Sequence, residues 1–174
     1  MPSSRILIAS NTLGSAAASV TFSSIPATYT DLVLRYSTRV DRAIAGGHNC
    51  LLTFNASTSS DYSQTNLAEF GVTKNSTRAS AATSVLTLST GASNTSNTFS
   101  SNEIYIPNYA GSTNKPFSLQ DVVENNSSAD FESAIAARAA LRSNTAAITS
   151  IKIDTNGYNF VSGSSFFLYG IKNS

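Results

Sequence analysis

Short apolar or alternating runs recur from one end of the chain to the other, and each stops after a few residues. They lie at Ile6–Ile8, Val20–Phe22, Leu32–Tyr36, Leu51–Phe54, Val85–Leu88, Glu103–Ile106, Ile148–Ile153 and Phe166–Ile171. Runs of that length, rich in Ile, Val, Leu, Phe and Tyr, predict eight or more β-strands. Clusters of Ser, Thr, Asn, Asp and Gly separate them, at Ala56–Ser63, Thr90–Thr98, Gly111–Asn114 and Asn156–Gly163, and these read as turns and loops. Strands joined by polar loops, with no regularly alternating helices, predict an all-β fold. The expected form is an antiparallel β-sandwich, jelly-roll-like. A length of 174 residues suits one core. A single sandwich domain over residues 1–174 is therefore expected, and a globule of this size needs no disulfide or metal staple.

One segment is ambiguous. Asp130–Arg142 is rich in alanine, which favours a helix by intrinsic propensity. The same string alternates Ile135, Ala137, Ala139 and Leu141 with Ala134, Ala136, Arg138, Ala140 and Arg142, which suits a strand with one face of small residues. The strand is favoured, because a helix would interrupt an otherwise all-β order.

Charge narrows the function. Lys and Arg number 11 and Asp and Glu 10, only 12% of the chain. Such a surface has no basic stripe to displace counterions from nucleic acid and no polybasic run to hold an anionic membrane. Polarity comes instead from 31 Ser, 19 Thr and 16 Asn, which points to a neutral structural surface. No apolar run approaches the ~20 residues of a membrane helix. After Arg5 the stretch Ile6–Ala9 is broken by Ser10, Asn11 and Thr12, too soon for a secretory signal, so it reads as a first strand. Five Asn-x-Ser/Thr triplets, at Asn55, Asn75, Asn94, Asn125 and Asn126, are expected by chance in this composition.

The search for chemistry yields little. Cys50 is the single cysteine and His48 the single histidine; with Asp41 they fall short of a four-ligand zinc set. His48 follows Gly46-Gly47, and that string reads as a turn in preference to a catalytic base. Gly163-Ser164-Ser165 lacks the second glycine of a nucleophile elbow, and no phosphate-cradling glycine loop is present. Asp154-Thr155-Asn156-Gly157 lacks the remaining ligands of a calcium loop and reads as a turn. Asp31, Asp41, Asp61, Glu69, Glu103 and Asp154 are available as carboxylates that the fold can pair. Tyr62, Tyr105, Tyr109 and Tyr158 can serve as sugar platforms in a chain without Trp, although sheet packing with the hydroxyl at a rim partner is the plainer role. No catalytic, metal, cofactor or contact residue is assigned.

Three blocks carry a resemblance: Phe22–Arg39 (FSSIPATYTDLVLRYSTR), Ile104–Phe117 (IYIPNYAGSTNKPF), and Ile148–Asp154 (ITSIKID) with Ser164–Lys172 (SSFFLYGIK). Together they resemble small virion structural proteins of tailed bacteriophages, particularly those of cyanobacteria and marine bacteria. Head decoration, or cement, proteins are the most similar kind. In each block a local reading stands beside the resemblance. Pro26 and Pro107 close a strand from outside its ladder, and Ser165–Ile171 is apolar on both faces, as a strand inside a sheet is.

The resemblance implies a non-enzymatic protein on the outer capsid surface of the virion, made in the cytoplasm of the bacterial host. Its partner would be the major capsid protein, whose subunits it bridges, and it would self-associate, with a trimer favoured. Attachment would rest on apolar burial and neutral hydrogen bonds, which salt screens little. The alternative is a glycan-binding adhesion module of a phage tail or fibre, gripping host sugar through loop tyrosines and asparagines. A carbohydrate-active enzyme with two carboxylates is a third reading.

Overall fold

The computed structural model describes residues 4–126 and 132–172, and all the regular structure among them is β. Twelve strands follow in chain order: β1 Ser4–Thr12, β2 Ser19–Phe22, β3 Asp31–Ser37, β4 Gly47–Phe54, β5 Tyr62–Phe70, β6 Thr73–Ala82, β7 Val85–Thr90, β8 Ser101–Ile106, β9 Lys115–Val123, β10 Ala134–Arg142, β11 Ile151–Asp154 and β12 Ser165–Lys172. They form two sheets, one of eight strands in the order β1-β12-β3-β8-β9-β10-β5-β6 and one of four in the order β2-β11-β4-β7. Neighbours within each sheet run antiparallel. The expected antiparallel β-sandwich is present. Its division into eight and four differs from the eight strands that a jelly roll spreads over two sheets.

Alternation explains the core. From the large sheet, Leu32, Leu34, Ile104, Ile106, Phe117, Leu119, Phe166 and Leu168 point inward, and Val20, Phe22, Leu52, Phe54, Ile151 and Ile153 meet them from the small one. Phe54 and Phe117 cross the gap edge to face at 5.0 Å, a geometry that aromatic pairs favour. The prolines lie where expected, Pro26 between β2 and β3 and Pro107 just past β8. β12 is hydrogen-bonded on both sides, by β1 and β3.

The large sheet is wider than the small one, so its flanks overhang. β6 is exposed or half-exposed along its whole length, on both faces. The small sheet ends at β7, whose outer edge is turned towards the large sheet and closed by side chains. Leu86 N–H donates to Gln64 Oε1, Leu88 N–H donates to Asp121 Oδ1, and Leu88 O accepts from Asn102 Nδ2. Thr90 completes the row, donating to Thr38 O and accepting from Val40 N–H. A buried edge must find partners for its backbone, and this accounts for Gln64, Asn102 and Asp121 on the inner face of strands that would otherwise be apolar.

Two cations organise loops. Arg39 donates from its guanidinium to the carbonyls of Ala92, Asn94, Thr95 and Thr98, stitching the long loop after β7. Lys115 is fully buried, and its ammonium donates to the carbonyls of Gly111, Thr113 and Thr145.

The strand reading of the ambiguous segment holds for Ala134–Arg142, while Asp130 and Phe131 lie outside the described residues. His48 corrects the sequence reading. Only Gly46 keeps a left-handed turn conformation, at φ 77°, and Gly47, His48 and Asn49 already belong to β4.

Candidate docking surface

The outer face of the large sheet has no layer over it among the described residues. On β10 the alternation runs opposite to the usual order for a half-buried antiparallel sheet, apolar in and polar out. Arg138 and Arg142 point inward with Ala134, Ala136 and Ala140, whereas Ile135, Ala137, Ala139 and Leu141 point outward. Partners distant in sequence but on or beside the two neighbouring strands make this arrangement stable. Arg138 pairs with Asp121 of β9, both side chains out of solvent. Arg142 Nε lies 3.2 Å from Asp61 Oδ2, and its guanidinium stacks over Tyr62 at 5.8 Å. A buried charge without a partner would cost several kcal/mol, so these carboxylates decide which face of β10 turns in.

The outward consequence is an aliphatic patch. Cross-strand register sets Ile135 beside Val122 of β9 and Glu69 of β5, and Ala137 beside Gln120 and Leu67. Leu67 is 63% exposed and Ile135 53%. Together with Ala137 they line a shallow groove of about 520 Å³, bounded by Glu69 and Lys74. Apolar side chains at the centre and charges at the margin are the anatomy of a protein interface.

The other half of the same face is polar and aromatic. A second groove, about 470 Å³, is lined by Arg35, Ser37, Glu103, Gln120, Ser165 and Phe167, among others. Arg35 Nε donates to Glu103 Oε2 at 2.6 Å, which leaves an aligned set of donors and acceptors beside the Phe167 ring.

The tyrosines singled out in the sequence are dispersed. Tyr62 and Tyr109 are buried, Tyr62 accepting from Phe54 N–H and Tyr109 donating to Pro26 O. Tyr105 reaches the outer face and donates to Asp31 Oδ2, while Tyr158 meets the His48 ring edge to face at 5.2 Å at another station. The carboxylates also stand apart. Asp31 accepts from Tyr105 and Asn108 N–H, Asp41 from Asn159, Asp61 from Arg142 and Asn144, Glu103 from Arg35, and Asp154 from Asn156 N–H. Glu69 stands opposite Lys74 on the outer face. No two of these carboxylates share a partner in these contacts. Asp154 ends β11, and the chain turns after it, with Asn156 and Gly157 both at positive φ.

His48 is buried with both ring nitrogens engaged. Nε2 lies 2.7 Å from Thr155 O, and Nδ1 lies 3.0 Å from Arg42 Nη1. The contacts fix one tautomer: Nε2–H donates to the carbonyl, and Nδ1 accepts from the guanidinium. Burial pushes the imidazole below its ordinary pKa, the Thr155 carbonyl pulls it up, and Arg42 pushes it down again. Burial likewise pushes the Cys50 thiol far up, away from the thiolate that ligation or nucleophilic attack requires.

The patch residues Leu67 and Val122 lie on β5 and β9, strands that the apolar runs did not reveal. Only the folded register reveals them: once Ile135 and Ala137 mark the outward row of β10, their neighbours follow from the pairing. The chain matches no family model, no curated protein and no solved structure.

Proposed function

We propose that this chain is a non-enzymatic structural protein of a tailed-phage virion, a head decoration or cement protein that binds the outer capsid surface and bridges major capsid subunits. The observation that carries the reading is the reversed polarity of β10, which spends two buried arginines inward and sets Ile135, Ala137 and Leu67 on an open sheet face. The resemblance of three sequence blocks to virion proteins supports the location. A cement protein needs an open surface that a capsid can cover, and the outer face of the large sheet offers one around Leu67 and Ile135.

Co-sedimentation with phage heads lacking the protein tests the proposal. Saturable binding in a fixed ratio to capsid subunits is expected, with a rise in the thermal stability of the heads. Absence of binding overturns it.

The glycan-binding alternative draws on the groove at Arg35, Glu103, Gln120 and Phe167. There a sugar ring would meet an aromatic side chain and a hydrogen-bonding row on the sheet face, away from the loops. Retention on host polysaccharide with no affinity for heads would favour it.

A further inference from the structure

A sheet that does not close into a barrel leaves edges, and their chemistry decides what pairs with them. The two sheets have four. The β7 edge is sealed by Gln64, Asn102, Asp121 and the Thr38–Val40 segment. β2 is only four residues long. β6 is long but polar and carries Lys74 and Arg78, and charged residues on an edge oppose strand addition. β1 is different. It is nine residues long, reads SRILIASNT, and exposes Ile6 by 40% and Leu7 by 51%. Alternation puts these two on opposite faces, so the strand is apolar above and below the sheet plane. Its one charge, Arg5, is turned back over its own sheet, with Nη1 3.8 Å from Glu103 Oε2. No proline interrupts it, and its one irregularity is a bulge at Ile8, where the register with β12 shifts between Leu7 and Ala9.

We infer that β1 is a self-association edge: two copies pair β1 with β1 antiparallel about a twofold axis and fuse their large sheets into one. Charge selects this pairing over the others. A β1–β6 contact between copies would bring Arg5 alongside Lys74 and Arg78, and a β6–β6 contact would crowd four cations, with no acidic residue on either strand. In a β1–β1 pair centred on Leu7, the two Leu7 side chains face each other, each Ile6 lies beside the bulge at Ile8 of the second copy, and the two Arg5 residues stand on opposite sides of the axis. The antiparallel direction suits a twofold contact, the commonest closed symmetry. A ladder centred on Leu7 takes in the seven residues from Ser4 to Ser10 and is ~23 Å long. That is short for a specific interface, so association should depend on concentration. The inference goes beyond the proposed reading: it puts a twofold dimer in place of the trimer that the resemblance implies, and it uses a surface separate from the proposed shell-binding patch.

Sedimentation velocity from ~5 to ~500 µM tests it, since mass action moves a modest dimer across that range. The expected result is a monomer–dimer equilibrium that Leu7→Lys and Ile6→Lys each weaken at least tenfold. Thermal midpoints should stay unchanged, and Leu67→Lys should dimerise as the parent does. Hydrogen exchange on the unsubstituted protein is an independent readout: β1 amides gain protection with concentration while β6 amides do not. A monomer throughout, a trimer, or a Leu7→Lys dimer of parental strength overturns the inference. Head binding is read in a separate experiment, so either idea can fail alone.

Discussion

Arg138 reaches across the inner face of the large sheet to Asp121, and the pair is buried where the edge of the small sheet comes down on it. Asp121 also accepts from Thr87 Oγ1 and Leu88 N–H, so one carboxylate joins β10, β9 and β7. Burial pushes its pKa up, while Arg138 and the hydrogen bonds pull it down. Removing the cation leaves that carboxylate buried among too few donors. Arg138→Ala is expected to cost about 3–5 kcal/mol in urea denaturation. Asp121→Asn keeps an acceptor but leaves Arg138 unpaired, and should also destabilise by more than about 2 kcal/mol. Loss of under about 1 kcal/mol in both would mean that the pair does not hold the sheets together.

His48 sets a pH dependence with a definite sign. Its folded pKa is depressed, chiefly by burial, so the unfolded chain binds the proton more readily. The stability it contributes is complete above the unfolded value of about 6.5 and is lost as pH falls from there towards the folded pKa, with a slope of at most ~1.4 kcal/mol per pH unit. Protonation puts a hydrogen on Nδ1, facing Arg42 at 3.0 Å, so the bond becomes a repulsion. Asp41 acts in a lower window: hydrogen bonds from Asn159 hold it below the ordinary carboxylate range, and that contribution is lost only as pH falls below about 4. Thermal melts from pH 8 to pH 5 should show a midpoint that declines below about 6.5, and His48→Gln should flatten that limb.

Gly170 has a packing role that does not depend on an unusual backbone angle. It sits on the inner face of β12, and a Cβ there would run into the ring of Tyr29. The turn before β3 uses that hollow to seat the ring. Gly170→Ala is expected to cost about 1–3 kcal/mol by overpacking. Tyr29→Ala in the same background should recover part of the loss, because it removes the clash. Chemical denaturation of the two single variants and the double variant measures the coupling.

The parts of the fold that were legible in the sequence are those where inward residues are apolar. Leu32, Leu34, Ile104, Ile106, Phe166 and Leu168 announce β3, β8 and β12 because each strand has consecutive inward positions filled by large apolar side chains. β5 and β9 stayed hidden because polar side chains occupy inward positions: Gln64 and Asn66 on one, Lys115 and Asp121 on the other. β6 has no apolar period at all, since it overhangs the core. On β10 the alternation was plain but its direction was not. That direction depends on Asp121 and Asp61, which lie 17 and 81 residues away from their arginine partners and meet them only in the folded sheet. The outer patch was illegible for the same reason, being what remains exposed once those arginines turn in.

The patch supplies the last prediction. Leu67 and Ile135 are more than half exposed and make no core contact that a substitution would break, so Leu67→Lys and Ile135→Lys should change stability by no more than about 0.5 kcal/mol. Their effect on attachment to heads should be large, because each places a cation at the centre of an apolar contact. Salt separates this from a charge-driven contact. At 1 M ionic strength the Debye length is about 3 Å, so an attachment built on ion pairs weakens steeply while apolar burial persists. The protein should therefore stay on heads in ~1 M sodium chloride at neutral pH, and the two lysine variants should be absent from the head pellet even at low salt. Release of the parent protein at high salt, or full occupancy by both variants, would place the shell contact elsewhere on the molecule.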